Sequence, residues 1–413
     1  MTRLVDQVYR RLIRHLMFRL DPETAHAVAV TALSLFPAAG KPADPPQLAR
    51  NLWGLEFHNP IGLAAGMDKD ARAVGGWQWM GFGFVELGTV TPLAQPGNPR
   101  PRLWRLLQEQ ALVNQLGFPS AGMEVVARRV KRLRARGLGI RLGISLGPNK
   151  TTSREHVARD YQTLIGRLAP LADFIVVNLS SPNTPGLREL QGAREMRELL
   201  EAMLEARTAA LSLAQVRAGG APACAAAGRS AQPVVPVHPP APAPEAASRQ
   251  DAAPRAAKAA PGQSSTPGRV CPLLVKLAPD LEQGALERAC DVLVELSVDG
   301  VVACNTTTGR EAIERRGVPE GGLSGQPLKA RARQVIRAIY RHTHGRLPIV
   351  GVGGVGGAAD AYAHICAGAS LVELYTALVF EGPALITQIK RGLCALLRRD
   401  GFNSIADAVG TQV

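Results

Sequence analysis

Residues 348–376, with the sequence PIVGVGGVGGAADAYAHICAGASLVELYT, contain the pattern that decides the fold. A short apolar run, Pro348 to Val352, ends in a glycine-rich turn, and a second run, Leu371 to Leu374, follows after a stretch that suits a helix. Short aliphatic runs that end at glycine are typical of buried strands. The order strand, helix, strand predicts two parallel strands joined by a crossover helix.

Six earlier segments repeat this pattern, each an apolar run that ends in glycine or a polar cluster. They are Ile61 to Ala65, Phe84 to Leu87, Leu142 to Leu146, Phe174 to Val177, Leu273 to Leu277 and Gly300 to Ala303. Eight strands that alternate with helices predict the α/β fold class and a (β/α)8 TIM barrel, because eight parallel strands close into a barrel. A doubly wound open sheet is the alternative that the pattern leaves open.

A basic amphipathic segment precedes the barrel pattern. Apolar residues recur at three-to-four spacing from Leu4 to Leu20, and the first twenty residues hold five arginines and one acid. Asp21 as an N-cap and Pro22 in the first turn predict a second helix. We therefore predict that residues 1–40 form a helical arm on an anionic membrane surface, and that residues 41–413 form the barrel. A mitochondrial presequence is the alternative reading of this arginine-rich start.

Residues 208–269 interrupt the barrel pattern between the fourth helix and the fifth strand. They are dominated by Ala, Pro, Gly and Ser and hold ten of the 31 prolines. Such a composition cannot bury enough apolar surface to offset the entropy of ordering. The segment is therefore predicted to be a disordered insertion rather than a domain.

The bulk composition narrows the class of protein. The net charge of +14 would suit nucleic acid, anionic lipid or an acidic small molecule. The six cysteines include no C-x-x-C pair, so we predict no metal site. No apolar run approaches the ~18 residues that a transmembrane helix needs.

Phosphate binding is predicted at the last two strands, since reactive groups of β/α barrels gather where strands run into the following loops. The turn Gly351–Gly354 would let backbone N–H groups approach a phosphate, and Tyr375 and Thr376 add donors. Lys276 lies within an apolar strand, where an ammonium needs a negative partner such as a reduced flavin. A structural ion pair is the alternative for Lys276.

Amide side chains at the strand ends indicate a second ligand. An amide offers both a donor and an acceptor, which suits a planar ring with alternating N–H and C=O groups. Lys69 would suit a carboxylate on that ring. The amides that predict this pyrimidine-like ligand are Asn114, Asn178, Asn183 and Asn305.

Eight motifs now stand in a fixed order along the chain. They are GLAAGMDKD (62–70), GTVTP (88–92), NQLGF (114–118), NLSSPNTPG (178–186), KLAPD (276–280), NTT (305–307), GGLSG (321–325) and GVGG (351–354). This set resembles the class 2, quinone-dependent dihydroorotate dehydrogenases, and the resemblance covers nearly everything outside 208–269. It implies an FMN enzyme that oxidises dihydroorotate to orotate for pyrimidine biosynthesis and passes the electrons to a membrane quinone.

The resemblance also implies roles for individual residues. Ser181 would be the general base at C5 of dihydroorotate, with Thr184 and a water as the outlet for the proton, while hydride leaves C6 for the flavin. His26 and Arg102 would line the quinone tunnel; helix capping and a surface charge are their alternatives. The flavin would be held by Ala65, Gly66, Met67, Asp68, Lys69, Thr89, Ser145, Asn178, Lys276, Cys304, Gly325, Gly354, Tyr375 and Thr376. Orotate would be held by Lys69, Asn114, Gln115, Leu116, Gly117, Phe118, Asn178, Asn183, Asn305 and Thr306.

Two residues depart from the family pattern. Ser145 stands where the family usually has a flavin-contacting Asn, and Cys304 where it usually has Thr. Both side chains are smaller or less polar, so flavin binding could differ, and nothing in the sequence marks Cys304 as an activated thiol.

The resemblance further implies a monomeric peripheral protein at the cytoplasmic face of a bacterial membrane, with no nucleic-acid partner. The mitochondrial inner membrane is the alternative location. A flavin barrel that reduces uridine in transfer RNA is a rival function, although such enzymes use a cysteine acid where this chain has Ser181. A non-catalytic, membrane-binding barrel is a second rival, which the absence of flavin absorbance would favour.

Overall fold

The computed structural model describes residues 7–37, 44–217, 271–313 and 317–413. Its centre is a closed barrel of eight parallel strands, in which β8 pairs with β1 and β5 pairs with β6. The barrel and all eight predicted strands are confirmed, and the open sheet is excluded. The strands are β1 Ile61–Leu63, β2 Phe84–Val90, β3 Arg141–Leu146, β4 Phe174–Asn178, β5 Leu273–Leu277, β6 Gly300–Ala303, β7 Ile349–Val352 and β8 Ala369–Leu374.

Helices surround the barrel and bury one face each. In the helix Val157–Leu168, Tyr161, Leu164, Ile165 and Leu168 are buried at three-to-four spacing, which is the period that places side chains on one face. In chain order the barrel helices are α3 Val74–Met80, α4 Met123–Ala135, α5 Val157–Leu168, α6 Ala193–Arg217, α7 Gln283–Glu295, α8 Lys329–Thr343, α9 Ala358–Cys366, α10 Thr376–Glu381 and α11 Leu385–Arg399.

An apolar plug fills the amino-terminal end of the barrel. Phe84 of β2 and Phe174 of β4 point inward there, together with Leu274 and Leu371. Phe57, from the antiparallel hairpin Arg50–Leu52 and Leu55–Phe57, closes the plug from below, and its ring meets that of Phe84 edge-on at 5.5 Å. The barrel interior is therefore dry at this end, and any ligand must lie at the other.

A three-stranded antiparallel sheet covers the carboxyl end of the barrel. Its order is Gly322–Gly325, Ala111–Asn114, Leu103–Leu106. The sequence pattern did not predict these strands, which follow β2 and β6 as insertions. They form a wall over the strand ends and enclose the space beneath.

Two helices occupy the described part of the predicted arm. The first, α1, comprises a π-helical segment Tyr9–Ile13 and the α-helix Arg14–Arg19, and the second, α2, is Pro22–Ser34. The Asp21 carboxylate accepts hydrogen bonds from the backbone N–H groups of residues 23 and 24 at 3.0 Å, which is the expected N-cap. Within the described residues, no helix is both long and apolar enough to cross a bilayer.

The predicted start of the insertion at residue 208 is wrong, because α6 continues to Arg217. Residues 208–217 are rich in Ala and Leu, which favour helix. Ala210 is buried and Leu211 packs against the core, so this extension is stabilised by packing. The predicted insertion from residue 218 onward lies outside the described residues, as do residues 1–6 of the arm.

Candidate active site

A deep cavity lies between the carboxyl ends of the barrel strands and the covering sheet. It holds about 1350 Å³ of space not filled by protein atoms, which includes its open mouth. The predicted residues that line it are Ala65, Gly66, Lys69, Thr89, Asn114, Leu116, Gly117, Phe118, Asn178, Ser181, Asn183, Lys276, Cys304, Asn305, Thr306, Gly325, Gly354, Tyr375 and Thr376.

Two amides and two hydroxyls form a network at the ends of β2, β4 and β6. Asn178 donates to the Thr89 hydroxyl at 3.0 Å, and its side-chain oxygen accepts from Asn305 at 3.2 Å. Asn305 also donates to Ser180 at 3.0 Å. Each group holds its neighbour, so the amides are oriented before a ligand arrives.

A second pair of amides lies across the cavity. Asn183 donates to the side-chain oxygen of Asn114 at 2.9 Å, and Asn114 donates to the Gly322 carbonyl at 3.2 Å. The backbone N–H of Asn183 points at the hydroxyl oxygen of Ser181, 3.3 Å away. The four predicted amides and Ser181 are thus brought together around one space, with Ser181 only 5% exposed.

Lys69 supplies a positive charge beside these amides. Its ammonium donates to the Gly66 carbonyl at 2.7 Å, and burial lowers the pKa of Lys69 to about 8 although Asp70 and Glu23 oppose the shift. The group is still charged at neutral pH. A cation that has already lost much of its water suits a small carboxylate.

Lys276 lies deeper, inside the barrel. Its ammonium is 3.1 and 3.2 Å from the two carboxylate oxygens of Glu86 on β2, and 3.9 Å from Glu373 on β8. Burial alone would lower the pKa of Lys276, but Glu86 and Glu373 outweigh it and the pKa is raised. The ion pair is therefore present, and Lys276 also lines the cavity, where its predicted contact with a ligand stays a prediction.

Sequence reasoning missed Glu86 and Glu373. Each lies in the middle of an apolar strand, the same anomaly that singled out Lys276. A search for every charged residue inside a predicted strand would have found both.

The loop after β7 forms one end of the cavity. Gly353 and Gly354 have φ of +118° and +71°, and a Cβ on Gly354 would lie 2.3 Å from the Lys329 backbone. Only glycine fits there, so the cavity wall is bare main chain. Thr376, whose hydroxyl donates to Ser324 at 2.8 Å, lies opposite. A phosphate group fits this mixture of main chain and hydroxyls.

The cavity reaches toward the arm at its other side. Phe380 and Leu103 line it there, and α1 packs on this wall. The Tyr9 hydroxyl donates to the Val379 carbonyl at 2.8 Å, and the ring of Phe18 meets that of Phe380 edge-on at 5.6 Å. The arm therefore forms part of the boundary of the site.

His26 and Arg102 join the arm to the barrel rather than line the cavity. The His26 ring lies 2.7 Å from the Met67 carbonyl, and burial lowers the pKa of His26 to about 4, so the neutral ring donates this bond at neutral pH. Arg102 is buried and donates to Glu23 of α2 at 2.6 Å and to the carbonyls of Pro96 and Asn98 at 2.6 and 2.7 Å.

Several other predicted residues also lie outside the lining. The Asp68 carboxylate accepts from the backbone of Arg72 and Ala73 at 2.8 Å and from Trp77 at 3.1 Å, so it holds the start of α3. Ser145 lies behind Thr89, with its hydroxyl 3.3 Å away. Met67, Gln115 and Thr184 are likewise not part of the cavity wall.

Cys304 does line the cavity but is not an activated thiol. Burial raises the pKa of Cys304 to about 12, so the thiol is neutral. Over the described ranges, no group of three or more His, Cys, Asp or Glu side chains is placed to hold a metal ion. The chemistry of the site therefore depends on amides, hydroxyls and the two lysines.

Comparison with known proteins adds independent information. The model of the family described as dihydroorotate dehydrogenase matches residues 47–397. Proteins named dihydroorotate dehydrogenase (quinone) are similar along the whole chain: that of Rhodospirillum rubrum is 45% identical over 97% of this chain and 94% of its own length. That of Deinococcus deserti is 41% identical over 98% of this chain and 100% of its own.

Solved structures show the same likeness. A crystal structure of the dihydroorotate dehydrogenase of Eimeria tenella in complex with ferulenol has 33% sequence identity and a TM-score of 0.77, and the match covers 95% of both chains. The ligand-free structure of the Eimeria tenella protein gives a TM-score of 0.75 at 33% identity, over 95% of this chain and 99% of that one.

Proposed function

The chain belongs to the dihydroorotate dehydrogenase family, and we propose that its cavity holds FMN and dihydroorotate side by side, with a membrane quinone as the final acceptor. The protein is an oxidoreductase that converts dihydroorotate to orotate in pyrimidine biosynthesis. The transfer-RNA alternative is not favoured, because the relatives at 41–45% identity carry the quinone-dependent name. The observation that carries the proposal is one cavity with a phosphate end, a buried lysine and a ring of amides around a serine.

The residues present fit FMN. The main chain at Gly353 and Gly354 and the hydroxyl of Thr376 suit its phosphate, and Lys276 suits the electron-rich edge of its ring system. When bound, FMN supplies a two-electron acceptor, which amino-acid side chains do not provide. Thr89 and Asn178 complete the wall on the β2 and β4 side.

The amides around Ser181 fit dihydroorotate. Lys69 would pair with its carboxylate, and the two amide pairs would satisfy its ring N–H and C=O groups. A buried amide left without its partner costs about 1–3 kcal/mol, so a ring that lacks these groups would bind much less tightly.

Ser181 would take the proton from C5. Serine is a poor base, because its own hydroxyl proton must leave as it takes the C5 proton. The negative charge that this loss places on its oxygen must be stabilised, and the N–H of Asn183 points at that oxygen. Thr184 lies outside the cavity wall and makes no hydrogen bond with Ser181, so its part in proton release would need a bridging water.

The quinone would approach from the arm side of the cavity. Leu12 and Leu16 of α1 are 57% and 54% exposed, and Arg10, Arg11 and Arg14 lie among the apolar residues. This arrangement is typical of helices that lie in the surface of an anionic membrane. The protein would then be peripheral, at the cytoplasmic face of the bacterial membrane.

The test of the reaction is a comparison of electron acceptors. Purified full-length protein should carry FMN, dihydroorotate should bleach it without oxygen, and a soluble quinone analogue should restore the colour faster than fumarate or NAD. Equal or faster recovery with fumarate or NAD would contradict the quinone assignment. A chain that binds no flavin would contradict the whole proposal.

The test of the membrane surface uses matched serine substitutions. Leu12→Ser with Leu16→Ser should weaken binding to anionic vesicles and slow the reduction of long-chain quinone, while a short soluble quinone is reduced as before. Leu213→Ser on α6, where Leu213 is 60% exposed, is the control and should change neither. Unchanged vesicle binding in the arm variant would show that the membrane surface lies elsewhere.

A further inference from the structure

Three ionisable side chains form a layer inside the barrel, between the apolar plug and the cavity. Glu86 and Glu373 are 0% exposed and Lys276 is 4% exposed. Below them lie Phe84 and Leu371, one inward-facing position back on β2 and β8. Water is therefore excluded on the plug side, and these charges must be balanced by one another or by a ligand.

The geometry pairs Lys276 with only one of the two carboxyl groups. Glu86 accepts from the ammonium with both oxygens, at 3.1 and 3.2 Å, whereas the nearest oxygen of Glu373 is 3.9 Å away. No N–H or hydroxyl group in the described part of the chain donates to either side-chain oxygen of Glu373, and its only side-chain hydrogen-bond neighbour there is the carboxylate of Glu86. One ammonium cannot neutralise two buried carboxylates, so the unpaired one is far more stable with a proton.

We propose that Glu373 is a neutral, protonated acid that donates a hydrogen bond to the Glu86 carboxylate and keeps the layer beneath the ligand ring free of net charge. The inference rests on the proposed function, since the ring is that of the flavin. A protonated carboxyl has one O–H to give, and both Glu373 oxygens are buried beside Glu86.

The groups that face Glu373 support this protonation state. Burial and the neighbouring Glu86 carboxylate raise the pKa of Glu373 well above its usual value, and Lys276 lowers it by less. Cys304, which follows β6 and acts on Lys276, has its pKa raised to about 12 and adds no charge. Hydride transfer places negative charge on a flavin, so an ionised Glu373 would oppose reduction, whereas the protonated acid does not.

The experiment is infrared difference spectroscopy of the holoenzyme, reduced minus oxidised. We expect the carbonyl band of a protonated carboxylic acid in wild type, shifted when the flavin is reduced. The band should be absent from Glu373→Gln. It should also be absent from Glu86→Gln, because Glu373 then becomes the only carboxylate for Lys276 and ionises. Glu381→Gln is the control: Glu381 lines the same cavity but pairs with Arg10, so the band should remain.

Redox titration gives a second readout. Glutamine is neutral and keeps a donor, so the equilibrium constant for flavin reduction in Glu373→Gln should stay within threefold of wild type at pH 7. A tenfold rise, about 30 mV for a two-electron couple, would show that Glu373 is ionised in wild type and would overturn the proposal. So would a wild-type band that persists in Glu373→Gln, or no such band at all. If the flavin is absent or dihydroorotate fails to bleach it, the proposed function itself is wrong.

Discussion

Lys276→Met should destabilise the protein strongly, because it leaves a buried carboxylate without its cation. Glu86 is fully buried and both its oxygens contact the ammonium. Removing one partner of such a pair typically costs about 3–5 kcal/mol. Methionine fills a similar volume, so little of this loss would come from a cavity.

Urea unfolding of the flavin-free protein measures this cost without any contribution from the cofactor. The double variant with Glu86→Gln removes both charges and should recover most of the free energy of unfolding, because the pair as a whole adds little net stability. A loss below about 1 kcal/mol in Lys276→Met would show that the barrel interior is wetter than the burial of these side chains implies. A double variant as unstable as the single one would show that packing, not charge, dominates.

Three further predictions concern the rest of the molecule. The pKa of Lys69 is about 8, so its positive charge is lost above that pH. We therefore expect kcat/KM for dihydroorotate to fall as the pH rises through 8. In Lys69→Met, kcat/KM should be low and should not change with pH over the same range. Replacing residues 218–270 with a Gly/Ser linker should leave kcat and both KM values within a few-fold of wild type. The reason is that α6 ends and β5 begins at the barrel end opposite the cavity. A large fall in turnover of the fully flavinated variant would show that the segment reaches the site. Glu23→Gln should weaken the hold of Arg102 on α2 and speed limited proteolysis of the arm, whereas Glu205→Gln on α6 should not; equal cleavage rates would mean that this ion pair does not hold the arm down.

The barrel could be predicted because its signals are local. Each strand is a short aliphatic run that ends at glycine or a polar cluster, and helical periodicity fills the intervals. The covering sheet could not be predicted, because Leu103–Leu106 and Ala111–Asn114 pair with Gly322–Gly325 from a distant part of the chain. Nothing within a short window of sequence indicates that pairing.

In the candidate site, too, features with a local sequence signal could be predicted and contacts between distant parts of the chain could not. The amides were predicted because strand ends of a barrel converge, whichever residues they carry, whereas the role of Ser181 was implied by the resemblance to the family. The resemblance of its motif predicts a cofactor contact for Asp68, but only the structure shows that its carboxylate holds the start of α3. Glu86 and Glu373 were missed because only the closed barrel shows that they face Lys276 from other strands.

The central claim is that Ser181 is the general base when dihydroorotate reduces the flavin. Rapid mixing of dihydroorotate with the flavin-loaded protein, without oxygen, tests this claim most directly. Ser181→Ala should bind FMN normally and be reoxidised by quinone at the wild-type rate, which serves as the internal control. Reduction by dihydroorotate should be slower by about 10²–10⁴, the usual effect of losing a general base. Flavin reduction in Ser181→Ala within a few-fold of wild type would contradict the account.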